Sequence, residues 1–542
     1  MAVEAFSQTI SPGSDTLSFP ETEQTQRYAL ISVSDKTGVV GLAKIIDRAG
    51  YRIISTGGTA KALTDDGLPV IPIQEITGTP ESFEGRMKTI SFRIEGGILF
   101  DRTKTSQVKE AEKLGVPQID LVVANLYPFE KTVADPNTTY DEATEQIDVG
   151  GPTMVRSAAK NHKSVVIIVD PKDYDRVGEA IKAGEIDPQL KRELAAKAFG
   201  HLSLYDSQIR QFLETGEDFA EELTLPGRKT TDLKYGENPH LAAALYLEPN
   251  TNSPMRKLKR IGGGRESSAT NITDINAGIE SVRIFRDTPV VVVIKHNTPS
   301  GIALGETVEE ALKRAVEADP ISAYGGVVVS NKPLDMDCVR ILEKFREQRG
   351  QMDIISAPFI PPEVLEKLID IRKNVGIYTF GEIPRERSQR FQVKPIDGGF
   401  VLQEWDDDET NIADWKIATR SAPTRKQLEL MRFGWDAARR MKSNTIVAVD
   451  KDIPMTRGIG TGQTSRIASV EIALAQAGGN AIGSILISDS FFPFGDSVKL
   501  ARDAGVGAIL QQGGSKRDND SIEVANEAGI PMVFTGRRAF WH

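Results

Sequence analysis

From residue 27 onward, short apolar runs of strand length alternate with amphipathic stretches, and polar, glycine-containing turns separate them. Residues 28–33 (YALISV) predict a strand, SDKTG follows as a turn, and residues 39–49 repeat apolar positions at helical spacing before Gly50. Residues 52–55 predict the next strand, which runs through TGGTA into a helix over 60–66. Residues 119–126 (IDLVVANL) form a near-continuous apolar run, as a strand covered on both faces requires. This is the grammar of βαβ units on a parallel sheet.

Further along, four valines and an isoleucine at 290–294 predict a short buried strand. Lys295 and His296 appear where that run stops, followed by a tight polar turn with Pro299 and Gly301. Seated in a sheet, the strand delivers the pair at its carboxyl end, where open α/β sheets place ligands. A lysine beside a histidine in a pocket offers two groups whose proton affinity burial tunes. A loop with two surface charges is the plainer reading of the same residues.

At 542 residues the chain exceeds what one core supports, so two or more domains are expected. Hydrophobic content of 39% and charged content of 26% describe an ordinary soluble globular protein. A net charge of −10 argues against general nucleic-acid binding and leaves room for small basic phosphate pockets. The single cysteine, Cys338, fits a reducing cytosol, so a cytoplasmic protein is expected. The five histidines are scattered and no zinc spacing occurs, so no metal is expected. No apolar run approaches the ~20 residues of a membrane span. Residues 1–26 lack lysine and arginine and read as a disordered tail rather than a leader.

The polar turns after the first strands suit a phosphate, because backbone N–H groups and small hydroxyl side chains converge at helix N-termini. Ser32, Ser34, Lys36, Thr37 and Gly38 make one; Ser55, Thr56, Gly57, Gly58 and Thr59 make the other. Neither matches a nucleotide-binding fingerprint, and helix capping alone also accounts for either. In EQIDVGGPTMVRSAAKNH, Asp148 precedes Gly150-Gly151 and a short helix carrying Arg156 and Lys160. Asp148, Gly151 and Lys160 can close on one pocket, although Asp148 is equally an N-cap.

From residue 229 the character changes. KYGENPH at 234–240 and GGGRESSATNITD at 262–274 are irregular loops. Gly305-Glu306-Thr307-Val308 with Ala311 parallels Gly495-Asp496-Ser497-Val498 with Ala501, which points to an internal duplication or to chance likeness of two βα units. GIGTG at 458–462 lacks the third glycine of a dinucleotide fingerprint. The terminal FTGRRAFWH is expected to dock, since aromatic termini seldom fray.

Taken in order, SVSDKTG, STGGTAKAL, GRMKT, NLYPF, EQIDVGG, AAKNH, YGENPH, IKH, SNTIV, GQTSRI, FFPFGD and RRAFWH resemble the bifunctional AICAR transformylase/IMP cyclohydrolase (PurH) family over residues 27–542. The resemblance implies an α/β fold: a methylglyoxal-synthase-like cyclohydrolase domain at 27–228, then a transformylase domain at 229–542 built from two cytidine-deaminase-like subdomains without zinc. It implies formyl transfer from 10-formyltetrahydrofolate, a co-substrate, to AICAR, then closure of formyl-AICAR to IMP, with no catalytic metal, no nucleic acid and no membrane. It also implies a homodimer. For transformylation it implies that His296 assists proton transfer, that Lys295 manages charge and protonates the leaving folate nitrogen, and that Asn444 and Asp353 orient substrate and folate. Lys234, Tyr235, Arg466, Arg538 and His542 match positions on the AICAR side, and Ile321, Tyr324, Phe491, Pro493 and Asp496 match the folate side. For cyclisation it implies proton transfer by Asp148 and Lys160 and orientation of the formyl group by Lys88 and Tyr127. The SDKTG and STGGT turns, with Arg86, Thr89, Asn125, Gly150 and Gly151, then bind substrate.

The stretch after Arg86 commonly reads KTLHPKVHGG in that family; here Ser91 and Glu95 replace both histidines. Lys234 stands where Arg is usual and Gln512 where Pro is common. An active transformylase carrying a degenerate cyclohydrolase, and a regulatory nucleotide-binding protein on the same fold, are the alternative readings of the sequence.

Overall fold

The computed structural model describes residues 26–135, 137–216, 219–387 and 389–542. Apart from Gln26, the expected tail lies outside the described residues. The chain divides into two compact units, one ending at Pro226 and one running from Gly227 to His542.

The first unit is built on five parallel strands: Arg27–Val33, Arg52–Ser55, Val70–Pro72, Gln118–Asn125 and Val166–Ile168. Numbered in chain order, they lie 3-2-1-4-5. Ala29, Ile31, Ile53, Leu121 and Val123 pack under one layer with the helices Val39–Arg48 and Tyr174–Ala183. Leu30, Ile54, Val122 and Ala124 pack under the other, against Phe92–Leu99, Gly150–Lys160 and Pro188–Leu213. Burial on both faces accounts for the unbroken apolar run of the fourth strand. The second helix starts at Gly57 rather than at the expected residue 60, so Gly57 and Gly58 form its first turn.

The second unit contains two six-stranded sheets of one design. In the first, spatial order runs Thr298–Leu304, Val290–Lys295, Gly326–Ser330, Met352–Ala357, Gly376–Thr379, Lys259–Gly262. In the second it runs Thr456–Gly460, Ile446–Val449, Ile485–Ser488, Ala508–Gln511, Met532–Phe534, Lys416–Ile417. In both, the second strand is antiparallel to its neighbours, the third to fifth are parallel, and the sixth is antiparallel. The internal duplication is therefore present, but the two motifs that suggested it are not equivalent. Val308 begins the helix after the edge hairpin, whose counterpart is Arg466–Ala477, whereas Asp496 begins the next helix along. The shared Gly-acid-hydroxyl-Val pattern reflects how a short loop enters a helix, not descent of one from the other.

The helices Ala269–Arg283 and Arg425–Ala438 occupy corresponding positions, and Ile275, Ile279 and Val282 share one core with Leu430, Met431 and Phe433. Each carries a single glycine where it crosses its sheet. A Cβ at Gly278 would stand 2.2 Å from Val329 Cγ2, and one at Gly434 would stand 2.5 Å from Ile487 Cγ1. The edge strands of the two sheets meet through an antiparallel bridge between Ala303 and Met455, with the Leu304 amide donating to the Pro454 carbonyl at 2.9 Å.

The glycines supply the first test of this packing. Alanine in an unconstrained helix gains about 1 kcal/mol over glycine, but overpacking a filled core costs about 1–3 kcal/mol. At these contact distances overpacking wins, so Gly278→Ala and Gly434→Ala each lower the melting temperature measured by differential scanning fluorimetry; an unchanged or raised value contradicts the close helix–sheet approach.

Candidate active sites

In the first unit the polar turns gather at the C-terminal edge of the parallel sheet. The Ser55 hydroxyl donates to the Ile31 carbonyl at 2.6 Å, and the Thr59 hydroxyl donates to the Val33 carbonyl at 2.9 Å. Both side chains therefore hold the central strand. Ser32 is the penultimate residue of that strand. Asn125, at the end of the neighbouring strand, accepts from the Ser34 and Asp35 amides at 2.7 and 2.9 Å and donates to the Asp35 carbonyl at 3.1 Å. Asp35 in turn accepts from the Thr37 amide at 2.9 Å, and the Thr37 hydroxyl and amide together hold its carboxyl below its ordinary range. Gly38 follows in a left-handed conformation, at φ 72°, as the cap of the first helix. With those amides engaged, the helix N-terminus at Gly57-Gly58 is what faces an incoming anion. Lys36 lies over it, its Cε 3.6 Å from where a Cβ of residue 58 would stand.

The stretch 85–89 runs beside this edge. Arg86 pairs with Glu145, and Lys88 with Glu81 at 2.8 Å. Thr89 is buried, and a Cβ on Gly150 would stand 2.5 Å from its hydroxyl. A Cβ on Gly151 would stand 2.3 Å from Asp148 Oδ2 and 2.8 Å from Leu126 Cδ2. Only paired glycines let the helix Gly150–Lys160 begin so close to these side chains. Asp148 accepts from the Gly151 amide at 2.9 Å, and its own amide donates to the Tyr205 hydroxyl at 2.7 Å. Burial pushes the Asp148 carboxyl up, against the opposing effect of the Gly151 bond. Tyr127 follows Leu126 and is exposed. Asp148, Thr89 and the two separate segments that carry Lys88 and Tyr127 thus come together. Lys160 does not join them: it is exposed at the far end of the helix, about 15 Å along the axis from Gly150 at 1.5 Å per residue.

Ser91 and Glu95 have structural employment. Ser91 caps the helix Phe92–Leu99, accepting from the Ile94 amide at 3.1 Å. Glu95 accepts from the Ser157 hydroxyl at 2.5 Å, which ties this helix to Gly150–Lys160, while its other carboxylate oxygen is buried without a partner. Burial raises the Glu95 carboxyl, and the Ser157 bond lowers it by less.

In the second unit the strand Val290–Lys295 is buried until its last residue, as its composition demands. The expected polar turn around Pro299 and Gly301 is instead a second strand, Thr298–Leu304. The chain reverses at His296 and Asn297, both left-handed at φ 55° and 60°. Because Val290–Lys295 runs antiparallel to Gly326–Ser330, its carboxyl end lies at the N-terminal edge of the parallel strands, opposite to the edge that the sheet rule favours. The residues there nevertheless converge. Lys295 donates to the Tyr324 carbonyl at 2.9 Å. Asp353 pairs with Arg265 at 2.8 Å and Arg372 at 2.9 Å and lies beside Gly325. Ile321 and Tyr324 are exposed on the same loop. The Lys234 amide donates to the Ser267 carbonyl, and the Tyr235 carbonyl accepts from Ala269, which docks the YGENPH loop at the start of the helix Ala269–Arg283.

That helix contributes the residue that the sequence reading passed over. Asp274 is buried and accepts from the Asn297 amide at 2.6 Å, so it fixes the turn bearing His296. Burial raises its carboxyl; the Asn297 bond and the nearby His296 charge pull it down. An acid inside the Ile272, Ile275, Ile279 stripe was its only signal in the sequence.

In the second half the site residues cluster at the C-terminal edge of the parallel strands. Asn444 donates to the Gln463 carbonyl at 2.9 Å and accepts from Arg466 at 2.7 Å. Arg466 is buried and pairs with Asp489, which also accepts from Ser443 and from the Thr445 amide. Phe491 and Asp496 lie on the following loop and helix start, with Pro493 between them, and Gln512 accepts from the Ser490 hydroxyl at 2.7 Å. The C-terminus docks here: the Ala539 amide donates to the Asp489 carbonyl at 2.8 Å, the Ser443 amide to the Trp541 carbonyl at 3.0 Å, Arg538 lies over Phe540, and Phe540 meets His542 edge-on. The antiparallel bridge between Ala303 and Met455 inverts one half relative to the other, which turns this edge and the Lys295–His296 edge to the same side of the unit. Among the described residues no group of His, Cys, Asp and Glu could hold a metal ion.

A family profile described as AICARFT/IMPCHase bienzyme matches residues 158–476, and one described as MGS-like domain matches residues 38–153. Relatives named bifunctional purine biosynthesis protein PurH are 41% identical in Oceanobacillus iheyensis over 518 residues, and 43% identical in Bacillus cytotoxicus and Bacillus cereus over 520. Each comparison covers 95% of this chain and 100% of the relative. A crystal structure of ForH aligns at 34% identity over 35% of this chain and 100% of its own, with a TM-score of 0.31.

Glu95 provides a test by pH. Its folded-state proton affinity is raised, so the native protein is favoured while the carboxyl is protonated and loses that stability as pH rises through the folded value. Glu95→Gln removes the titration. The melting temperature of the variant minus that of the wild type is therefore expected to increase between about pH 4 and about pH 8, the span above the ordinary carboxylate range; a flat difference contradicts a buried, proton-favouring Glu95.

Proposed function

The chain belongs to the AICARFT/IMPCHase bienzyme family, and on that premise we propose how its residues divide two consecutive steps of purine biosynthesis. The chain is a bifunctional enzyme with AICAR transformylase and IMP cyclohydrolase activities. The formyl donor is 10-formyltetrahydrofolate, the working form is a homodimer, and the setting is the cytoplasm. Neither step calls for a resident metal.

The AICAR 5-amino group is a poor nucleophile because its lone pair is delocalised into the ring and carboxamide. Transfer therefore requires removal of an N–H proton as nitrogen attacks the formyl carbon, and stabilisation of the oxyanion that forms. His296 takes the proton. Asp274 anchors its turn and opposes the positive charge that the imidazole acquires. Lys295, steered by the Tyr324 carbonyl, stabilises charge and gives a proton to the folate N10 as the C–N10 bond breaks. Asn444 orients the substrate amine and carboxamide, and Asp353 the folate, with Ile321, Tyr324, Phe491 and Pro493 as its apolar surround. Lys234, Tyr235, Arg538 and His542 serve the nucleotide. Arg466 acts through Asn444, because its guanidinium is committed to Asn444 and Asp489.

In cyclisation the carboxamide nitrogen attacks the formyl carbon, and the formyl oxygen leaves as water after taking up two protons. Asp148, whose carboxyl is raised by burial, relays protons; Lys88 and Tyr127 polarise the formyl oxygen. The Gly57-Gly58 helix start and Lys36 hold the phosphate. Ser91 and Glu95 serve a helix cap and a helix–helix tie, so replacement of the usual histidines does not itself disable this half. The length of the helix Gly150–Lys160, which separates Lys160 from Asp148 just ahead of its start, weighs against a direct relay between those two within one copy.

The observation that carries the reading is the Asp274-anchored turn presenting His296 beside Lys295. His296→Ala is expected to lower transformylation by at least about a hundredfold while leaving cyclisation of supplied formyl-AICAR intact. Asp274→Asn is expected to lower kcat about tenfold or more with little change in KM for AICAR. Loss of both activities in His296→Ala, or an Asp274→Asn effect confined to KM, contradicts the assignment.

A further inference from the structure

We propose that the cavity at the C-terminal edge of the first half's parallel strands is a separate binding site for a nucleoside 5′-monophosphate. Its volume of about 1080 Å³ is slightly above the ~300–1,000 Å³ usual for small-molecule sites. It opens where Gly326–Ser330, Met352–Ala357 and Gly376–Thr379 end, at Asn331, Pro358 and Gly381. This is the edge at which parallel strands ordinarily place ligands. Lys295 and His296 occupy the opposite edge of the same sheet.

The duplication identifies the counterpart of this edge in the second half. The Asn331 amide donates to the Val290 carbonyl at 3.2 Å, and the Asn331 side chain accepts from the Val290 amide at 2.9 Å. Asp489 makes the same pair of bonds to Thr445, at 3.2 and 3.0 Å. Asn331 and Asp489 are thus equivalent positions, each just beyond the third strand of its sheet. Around Asp489 stand Asn444, Arg466 and the docked C-terminus. Around Asn331 the equivalent space is the cavity.

The lining selects the ligand class. Phe285, half-buried and backed by the core residue Phe433 at 5.7 Å, supplies an aromatic surface, and Phe359 is 55% exposed on the rim. These surfaces suit a flat heteroaromatic base. Most charges on the wall cancel in pairs: Arg286 with Glu409 at 2.6 Å, Arg439 with Asp406 at 2.7 Å, Arg385 with Asp287 at 3.7 Å. Lys257 and Lys332 pair with no carboxylate among the described residues, and of the lining carboxylates Glu382 alone is left without a cation there, so an excess of ammonium charge remains for a phosphate. Arg286 is held left-handed, at φ 43°, by the Asn331 side-chain amide donating to its carbonyl at 2.9 Å. Strain of this kind at a rim is a mark of binding sites. The assignment stands on the duplication and the cavity, whichever residues carry the transformylation.

Equilibrium dialysis of the full-length protein with radiolabelled adenosine 5′-monophosphate tests it. The wild type is expected to take up nucleotide beyond what its two substrate sites hold, and Lys257→Glu combined with Lys332→Glu to weaken that additional uptake by at least about tenfold, as loss of a phosphate-binding charge pair does. Transformylation without added nucleotide is expected to stay at the wild-type rate, since neither lysine belongs to the catalytic edge. Phe359→Ala, which leaves every charge in place, is expected to weaken uptake severalfold. No uptake by the wild type beyond its two substrate sites at millimolar nucleotide, or additional uptake as strong in the double variant and in Phe359→Ala as in the wild type, overturns the assignment.

Discussion

Helices cover the sheet faces of both units, so chemistry is confined to the ends of strands. In the first unit all five strands run the same way, and one edge collects every helix N-terminus that follows a strand. In the second unit the direction of a single strand decides the outcome. Val290–Lys295 runs against its parallel neighbours and carries its polar end to the edge they do not serve. The equivalent strand of the second half, Ile446–Val449, also runs backward, but its polar cluster precedes it, at Asn444. Inversion at the Ala303–Met455 bridge then turns the two sets the same way. Two halves of one design thereby bring different ends of themselves to the same side of the unit.

What holds these ends is a set of buried polar contacts rather than exposed ion pairs. Asp489 is fully buried and gathers Arg466, Ser443, the Thr445 amide and, through its carbonyl, the C-terminal segment at Ala539. Removing one partner of such a pair leaves an uncompensated buried charge, typically worth about 3–5 kcal/mol. Asp274 does comparable service on a smaller scale, with one bond to the turn that carries His296. In the first unit Asn125 and the Gly150-Gly151 pair fix loop and helix starts by contacts that a larger residue could not make.

The strands were legible because the largely apolar runs at 28–33, 119–126 and 290–294 answer directly to burial. The direction of a strand is not written in its own residues, so the correct inference that Lys295 and His296 sit at a strand end came with the wrong edge. The segment 298–304 read as a turn because Pro299 and Gly301 are turn residues, yet pairing with 290–295 makes it an edge strand, where proline is tolerated. The duplication was legible only as repetition; the motif chosen to register it follows the entry of any short loop into a helix. Ser91 and Glu95 looked like lost chemistry, and only their bonds to Ile94 and Ser157 reveal packing. Lys160 and Asp148 looked adjacent because a helix hides its length in sequence.

If each edge carries one reaction, the two must be separable in solution and joined only by diffusing formyl-AICAR. The most direct measurement is IMP formation from AICAR and 10-formyltetrahydrofolate, followed by ultraviolet absorbance, with His296→Ala and Asp148→Asn proteins assayed singly and mixed. Little IMP is expected from either alone and substantial IMP from the mixture, as one variant supplies the formylated intermediate and the other closes it. A mixture no more productive than its better component contradicts the division of the chain into two independent active edges.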